Sequence, residues 1–296
     1  MTFVKYPKIK RLDDKENQNL LNEKDLIITE KLDGSNLCIW KENQKIKIAK
    51  RTSEIEFTDK QFMPFCSWVK KQKWEFLEDN IYIYGECLIG KETQTGKITP
   101  IGRITYKNLE YFVIFDIFDG NSKRWLKPNS KEWNEIFKKF KETNNSQLNQ
   151  VPILEENISI NNEEELNKHL KKSNWCKDSN IEGIVIKKYF ENGKIQFAKL
   201  VTKEFKEVIK RKPNPKGNKI EEIAKSVITK ARIEKICKKE NINCEKDFGK
   251  LIKETIKDVF DEEESYLQEL SWKLFKKEFG SILPKIIKET YKESKV

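Results

Sequence analysis

The apolar residues of this chain change their spacing partway along, and that change constrains the fold more than any other feature. Up to residue 201 they come in runs of strand length: Leu26 to Ile28, Leu37 to Trp40, Ile46 to Ala49, Ile81 to Leu88, Tyr111 to Phe118, Gly183 to Tyr189 and Ile195 to Val201. Turn-forming pairs separate them at Asp33-Gly34, Glu42-Asn43 and Asn192-Gly193, the last with the chemistry of a hairpin. The runs at 81–88 and 111–118 hold so few polar residues that both their faces are expected to be covered. Next comes Lys210 to Lys219, with two prolines, a glycine and five basic side chains, as a linker or exposed loop has. Beyond it Ile220, Ile223, Ala224, Val227, Ile228 and Ala231 form one helical stripe, and Phe248, Leu251, Ile252, Ile256, Val259 and Phe260 another. The expected organisation is an α+β domain over 1–209 and a small all-α domain over 220–296.

Helices are also expected inside the first domain. One covers 59–79, where Phe62, Phe65, Trp68, Val69 and Phe76 recur at roughly helical spacing; one starts at Asn129 or Ser130 and runs through Trp133, Ile136, Phe137 and Phe140; one spans Asn162 to Lys172. A loop between the two apolar strands carries Lys91, Lys97, Arg103 and Lys107, suited equally to a substrate and to a solvated hairpin.

Charge narrows the choice of partner. The chain has 59 Lys and Arg against 48 Asp and Glu, a formal net charge of +11. Such an excess favours a polyanion through counterion release, although an AT-rich coding bias toward Lys, Asn and Ile produces the same composition. Cys38, Cys66, Cys87, Cys176, Cys237 and Cys244 form no Cys-x-x-Cys pair, which argues against a zinc ribbon or a dithiol redox site and for reduced core thiols. No apolar stretch has the length of a signal peptide or membrane span, so an intracellular, reducing location is expected. His169 is the only histidine. It lies in a charged stretch that reads as a solvated helix face, and paired-histidine chemistry is excluded.

The segment Thr29 to Asn36 puts Lys31 at the end of an apolar strand, just before a tight polar turn. A free lysine has a pKa of about 10.4, so a nucleophilic lysine needs desolvation, cationic neighbours or a metal to expose its lone pair. Asp33 and Glu30 beside Lys31 would act the other way. Glu86 and Glu182 lie in apolar strands, where a carboxylate is costly unless it binds a cation, a ribose hydroxyl or an ion-pair partner. Lys187 and Lys199, also on strands, suit phosphate.

In this order the residues resemble the covalent nucleotidyltransferases. Lys31-x-Asp33-Gly34-x-Asn36 is similar to their nucleophile motif, with the Asn36 ending found in RNA ligases where DNA ligases and capping enzymes have arginine. Arg51 falls where double-strand-joining RNA ligases of phage and kinetoplastid type have an arginine. Tyr84-Gly85-Glu86 resembles the ribose-contacting motif, Phe115-Asp116-Ile117 the adenine-stacking strand, and Glu182-Gly183-x-Val185-x-Lys187 the metal-binding strand. The family often has two lysines one residue apart after that strand, while Phe197-Ala198-Lys199-Leu200-Val201 supplies Lys199 alone, leaving Lys203 or another residue to substitute.

The resemblance implies an α+β, ATP-grasp-like nucleotidyltransferase domain of antiparallel sheets around an ATP site. It implies an ATP-dependent RNA ligase that carries AMP on Lys31 and joins 3'-hydroxyl to 5'-phosphate ends, a monomer acting on nicked or bridged duplex RNA. Glu30 then faces the adenine, Phe115 stacks on it, Glu86 holds the ribose, Glu182 positions Mg2+ or Mn2+, Lys187 and Lys199 clamp phosphate, and Asn36 and Arg51 act with the nucleic acid or its phosphate. The alternatives are a DNA ligase or capping guanylyltransferase, or a non-catalytic RNA-binding relative. The helical tail reads either as a module gripping the duplex or as a packing or dimerisation domain.

Overall fold

The computed structural model describes residues 3–17, 19–92, 98–160, 162–171, 173, 175–177, 181–202, 205, 219–243, 246–263, 267 and 272–293. The basic stretch at 210–218, Lys97, Lys203 and Cys244 lie outside them. The chain divides into two compact units, 1–201 and 202–296.

The first unit is built on two sheets. Its strands are β1 (Lys10–Arg11), β2 (Leu26–Lys31), β3 (Ser35–Glu42), β4 (Lys45–Lys50), β5 (Ser53–Ile55), β6 (Ile81–Cys87), β7 (Ile89–Glu92), β8 (Ile98–Pro100), β9 (Val113–Asp119), β10 (Arg124–Leu126), β11 (Asn149–Gln150), β12 (Ile153–Ile158), β13 (Gly183–Tyr189) and β14 (Ile195–Val201). One sheet has the order β1-β14-β13-β2-β12; the other runs β10-β9-β6-β3-β4-β5, with β11 beside β9. Pairing is antiparallel except for β1 with β14 and β11 with β9.

Period-two alternation gives each strand of the second sheet two apolar faces. On its outer face Leu37, Ile39, Ile48, Ile83, Ile114 and Ile117 pack against Phe65, Cys66 and Val69 of α1 (Met63–Lys71) and Trp133 and Phe140 of α2 (Lys131–Asn144). On its inner face Cys38, Trp40, Ala49, Tyr82 and Tyr84 meet Val185 and Phe197 of the first sheet, with Tyr6 in the same cluster. The expected coverage of both faces is thus met. Ser130 caps α2, its side chain accepting from the Trp133 amide, a bond worth about 1 kcal/mol.

Two expected helices differ. α1 is shorter than 59–79, because Gln72 adopts an extended conformation and Trp74, Phe76 and Leu77 join the core from the segment after the helix. Aromatic residues there imitate helical spacing while packing on Phe140. The segment after Asn162 is a 3-10 helix, Glu163–His169, capped by the Asn162 side chain. His169 is not a solvated residue: its side chain is 11% exposed and its Nε2 lies 2.7 Å from Glu155.

The second unit is helical: α3 (Lys219–Val227), α4 (Lys230–Lys239), α5 (Phe248–Glu262) and α6 (Trp272–Glu293). Ile223, Val227, Leu251 and Val259 of the two stripes seen in the sequence form its core together with Ile233, Ile236, Leu283 and Ile287. Among the described residues no helix is long and apolar enough to cross a membrane.

A charged group is sealed into this helical core. The Arg232 guanidinium is fully buried and meets Glu263 at 2.6 Å, Asp258 at 3.2 Å and the Val227 carbonyl at 3.0 Å. Removing one member of such a group strands the others without water. Arg232→Ala is therefore expected to cost the helical unit about 3–5 kcal/mol in urea unfolding followed by far-UV circular dichroism. A loss of about 1 kcal/mol or less, the value of a surface pair, would contradict the sealed arrangement.

Candidate active site

The chain crosses directly between the two sheets here: β2 ends at Lys31 and β3 begins at Ser35 in the other sheet. Lys31 therefore stands where the sheets diverge. The register places it opposite Gly183, and its Nζ lies 2.6 Å from Glu182 Oε2, with the side chains 23% and 9% exposed. Gly183 has no room for a side chain, since a Cβ there would come 2.2 Å from the Leu200 carbonyl. Gly34 is as confined, since a Cβ there would come 2.3 Å from the Cys87 carbonyl at the end of β6.

Asp33 fixes that turn. Its amide donates to the Tyr106 hydroxyl at 2.6 Å, and its Oδ2 accepts from the amides of Arg103 and Ile104. Glu30 lies on the opposite sheet face from Lys31, as period two requires, and accepts from Ser173 Oγ at 2.6 Å and Cys176 Sγ at 3.8 Å. The sequence suggested that Asp33 and Glu30 would be the carboxylates acting on Lys31; each is engaged elsewhere, and Glu182 is the one at the amine.

Across the cleft, register aligns a second group. Asn36 pairs with Glu86, and Leu37 pairs with Lys50, so Arg51 follows beside Asn36 just past the end of β4. All three share the parity of Cys38, Tyr84 and Ala49, which face the first sheet. Arg51, Asn36 and Glu86 thus form a row across three strands at the end nearest Lys31. The Asn36 Oδ1 is buried without a hydrogen-bond partner among the described residues.

Phe115 is the extra residue of a β-bulge, because Tyr84 pairs with Asp116 while Gly85 pairs with Ile114. Bulges re-aim side chains at such sites. Its ring meets Tyr6 edge-on at 5.0 Å. Lys187 donates to the Phe115 carbonyl at 2.7 Å and to Asp116 at 2.9 Å, with its Nζ 5.8 Å from the Phe115 ring centre. Asp116, completely buried, also accepts from the hydroxyls of Tyr6 and Tyr189. Burial first, and the Asp116 charge second, push both phenols well up, so they stay donors.

The sequence-predicted set is thus divided. Lys31 meets Glu182 at the end of β2, and Arg51, Asn36 and Glu86 line up in register on the other sheet, at the end that the turn after Lys31 joins. Lys199 shares the Lys31 face, level with Val185 and Thr29. Lys187 does not join Lys31: it is level with Ile27, four residues and about 13 Å back along β2, inside a buried ion pair beside Phe115. The Glu30 carboxylate is on the far face. Tyr106, Ser173, Tyr6 and Asp116 were not singled out; only Asp116, a charge inside an apolar run, carried a signal.

A family model described as RNA ligase matches residues 24–201, more than half of the chain. The chain belongs to the RNA ligase family. Among solved structures, a Naegleria gruberi RNA ligase mutant with ATP and Mn superposes with a TM-score of 0.52 at 22% identity, covering 69% of this chain and 58% of that one. The Naegleria gruberi RNA ligase with PPi gives 0.51 at 20%, covering 69% and 57%. At that identity the likeness is one of fold, and the match spans less than two thirds of the Naegleria chains. No curated protein matches.

Within the RNA ligase unit, Glu30 makes a pH-dependent contribution. Burial raises its pKa, against smaller opposing effects of the Ser173 and Cys176 hydrogen bonds. The folded state then holds its proton to higher pH than the unfolded chain does, so stability falls as pH rises from about 4.3, the ordinary carboxylate value, to the raised one. Glu30→Gln removes that loss. The melting temperature of the variant, relative to the parent, is expected to be higher at pH 8 than at pH 4; an offset independent of pH would contradict this.

Proposed function

We propose that this protein is an ATP-dependent RNA ligase that seals 3'-hydroxyl to 5'-phosphate RNA ends. What carries the proposal is the Lys31–Glu182 pair at the end of one sheet, with Arg51, Asn36 and Glu86 aligned at the adjoining end of the other. In the first step the Lys31 amine attacks the α-phosphorus of ATP; a P–N bond forms, the bond to the β-phosphate oxygen breaks, and pyrophosphate leaves. Next a 5'-phosphate oxygen of RNA attacks the same phosphorus, returning the electron pair to Lys31 and leaving AMP on the RNA end. Last, the 3'-hydroxyl attacks that 5'-phosphate, loses its proton and expels AMP. Activation turns a poor leaving group into AMP.

The resting pair is not itself nucleophilic, because an ammonium has no lone pair to offer. Glu182 is a single carboxylate, and no group of three potential metal ligands occurs among the described residues. That donor set fits Mg2+ or Mn2+, which bind through one or two carboxylates and substrate phosphates and keep their waters. Glu182 would hold such an ion, which would supply positive charge to the transferring phosphate. The neighbouring structures named with ATP and Mn or with PPi support this choice of nucleotide and ion.

The remaining roles follow from position. Phe115 offers the adenine a ring, with Lys187 and Asp116 forming the floor beneath it. Glu86 suits the ribose hydroxyls, and the buried Asn36 oxygen awaits a donor. Arg51 beside Asn36 supports action on nicked or bridged duplex RNA, the substrate we assign, by a protein working as a monomer.

Labelled ATP with Mg2+ is expected to leave AMP on the protein through denaturing electrophoresis, with no label from GTP and none in Lys31→Ala. Label from GTP would favour a capping enzyme; label surviving in Lys31→Ala would overturn the assignment. Glu182→Gln is expected to reduce labelling by about 100-fold or more. With nicked duplexes, sealing of RNA but not DNA is expected; the reverse preference would make this a DNA ligase.

A further inference from the structure

The face of the first sheet that bears Lys31 has a second cation beside Lys199. β1 joins the sheet edge in parallel register, Lys10 with Ala198 and Arg11 with Lys199. Residues in direct register point to the same side of a sheet, and Lys199 faces the cleft, level with Val185. Parity along the N-terminal segment agrees: Ile9, two residues before Arg11, packs in the cluster between the sheets. Lys10 turns the other way and pairs with Glu16 at 2.5 Å.

The arginine is anchored at its backbone. Its carbonyl accepts from Asn17 Nδ2 at 2.8 Å, and the next amide, of Leu12, donates to the Lys199 carbonyl at 3.1 Å. Gln196 of β14 ties the following turn by donating to the Glu16 carbonyl at 3.1 Å. A guanidinium on a fixed backbone offers phosphate a planar, two-pronged donor, where lysine offers a point charge.

We propose that Arg11 and Lys199 together form the clamp for the β- and γ-phosphates of ATP, the group that leaves as pyrophosphate. The inference rests on the ligase reading and extends it to a residue outside the matched segment 24–201. Once the α-phosphorus is at Lys31 and the base against Phe115, the other two phosphates carry most of the charge still to be neutralised. Lys199 lies two strand spacings across and two residues along from Lys31, about 12 Å, and Arg11 one spacing further, within the reach of long side chains converging on a triphosphate. The segment Phe197 to Val201 has one lysine; its companion cation comes from the strand alongside.

The test compares the parent with Arg11→Ala, Arg11→Lys and Lys10→Ala in two assays: AMP labelling of the protein against ATP concentration, and sealing of nicked RNA already adenylylated at its 5' end. Arg11→Ala is expected to raise the ATP concentration for half-maximal labelling by roughly tenfold, with sealing of adenylylated RNA retained. Arg11→Lys should recover part of the loss, and Lys10→Ala should match the parent. Equal loss in both assays, or the same loss in Lys10→Ala, would show that the N-terminal strand matters only for folding or RNA contact and would overturn the inference. A parent that labels normally beside an indistinguishable Arg11→Ala overturns this inference alone; a parent that takes no label brings down the ligase reading and this with it.

Discussion

The ion pair between Lys31 and Glu182 depends on the register that sets Gly183 opposite Lys31, and two glycines keep the backbone around it tightly packed. Gly183 must be a glycine because Leu200 comes up against it, and Gly34 must be one because the turn after Lys31 rests on Cys87. Asp33 and Tyr106 hold that turn without touching the amine. Lys31 thus has a backbone fixed by its neighbours and a side chain held by Glu182.

The division of labour along the cleft follows from how polar groups tolerate burial. Toward the Lys31 end, Arg51, Asn36, Glu86 and Lys199 are half-buried, and the Asn36 Oδ1 has no hydrogen-bond partner among the described residues. Deeper in, Asp116 and Lys187 neutralise each other, and two tyrosine hydroxyls complete the carboxylate. A buried charge so satisfied resists change, and the loss of any one member leaves the rest exposed to a low dielectric.

Much of this was legible in the sequence. The run of Glu182 to Lys187, the Asn192-Gly193 turn and the helical stripes beyond residue 220 reported their structures directly, because local spacing determines them. Glu30 was expected against the adenine, yet it does not lie on the Lys31 face, from which alternation alone separates it. The partner of Lys187 was not legible: Asp116 is distant in sequence, and a lysine in a strand reads the same whether it awaits phosphate or already holds a carboxylate. His169 misled for a related reason, its charged neighbours concealing a packed side chain. Arg11 had no local signal at all, because only the pairing of β1 with β14 gives it a place.

That pairing has a temporal side. Arg11 is made early and finds its strand partner only once Lys199 has been synthesised, so on the ribosome the sheet edge stays open for nearly the whole translation of this unit. Tyr6, wedged between the sheets, is in the same position. The sheet edge is thus completed by a segment made before every other strand of that sheet.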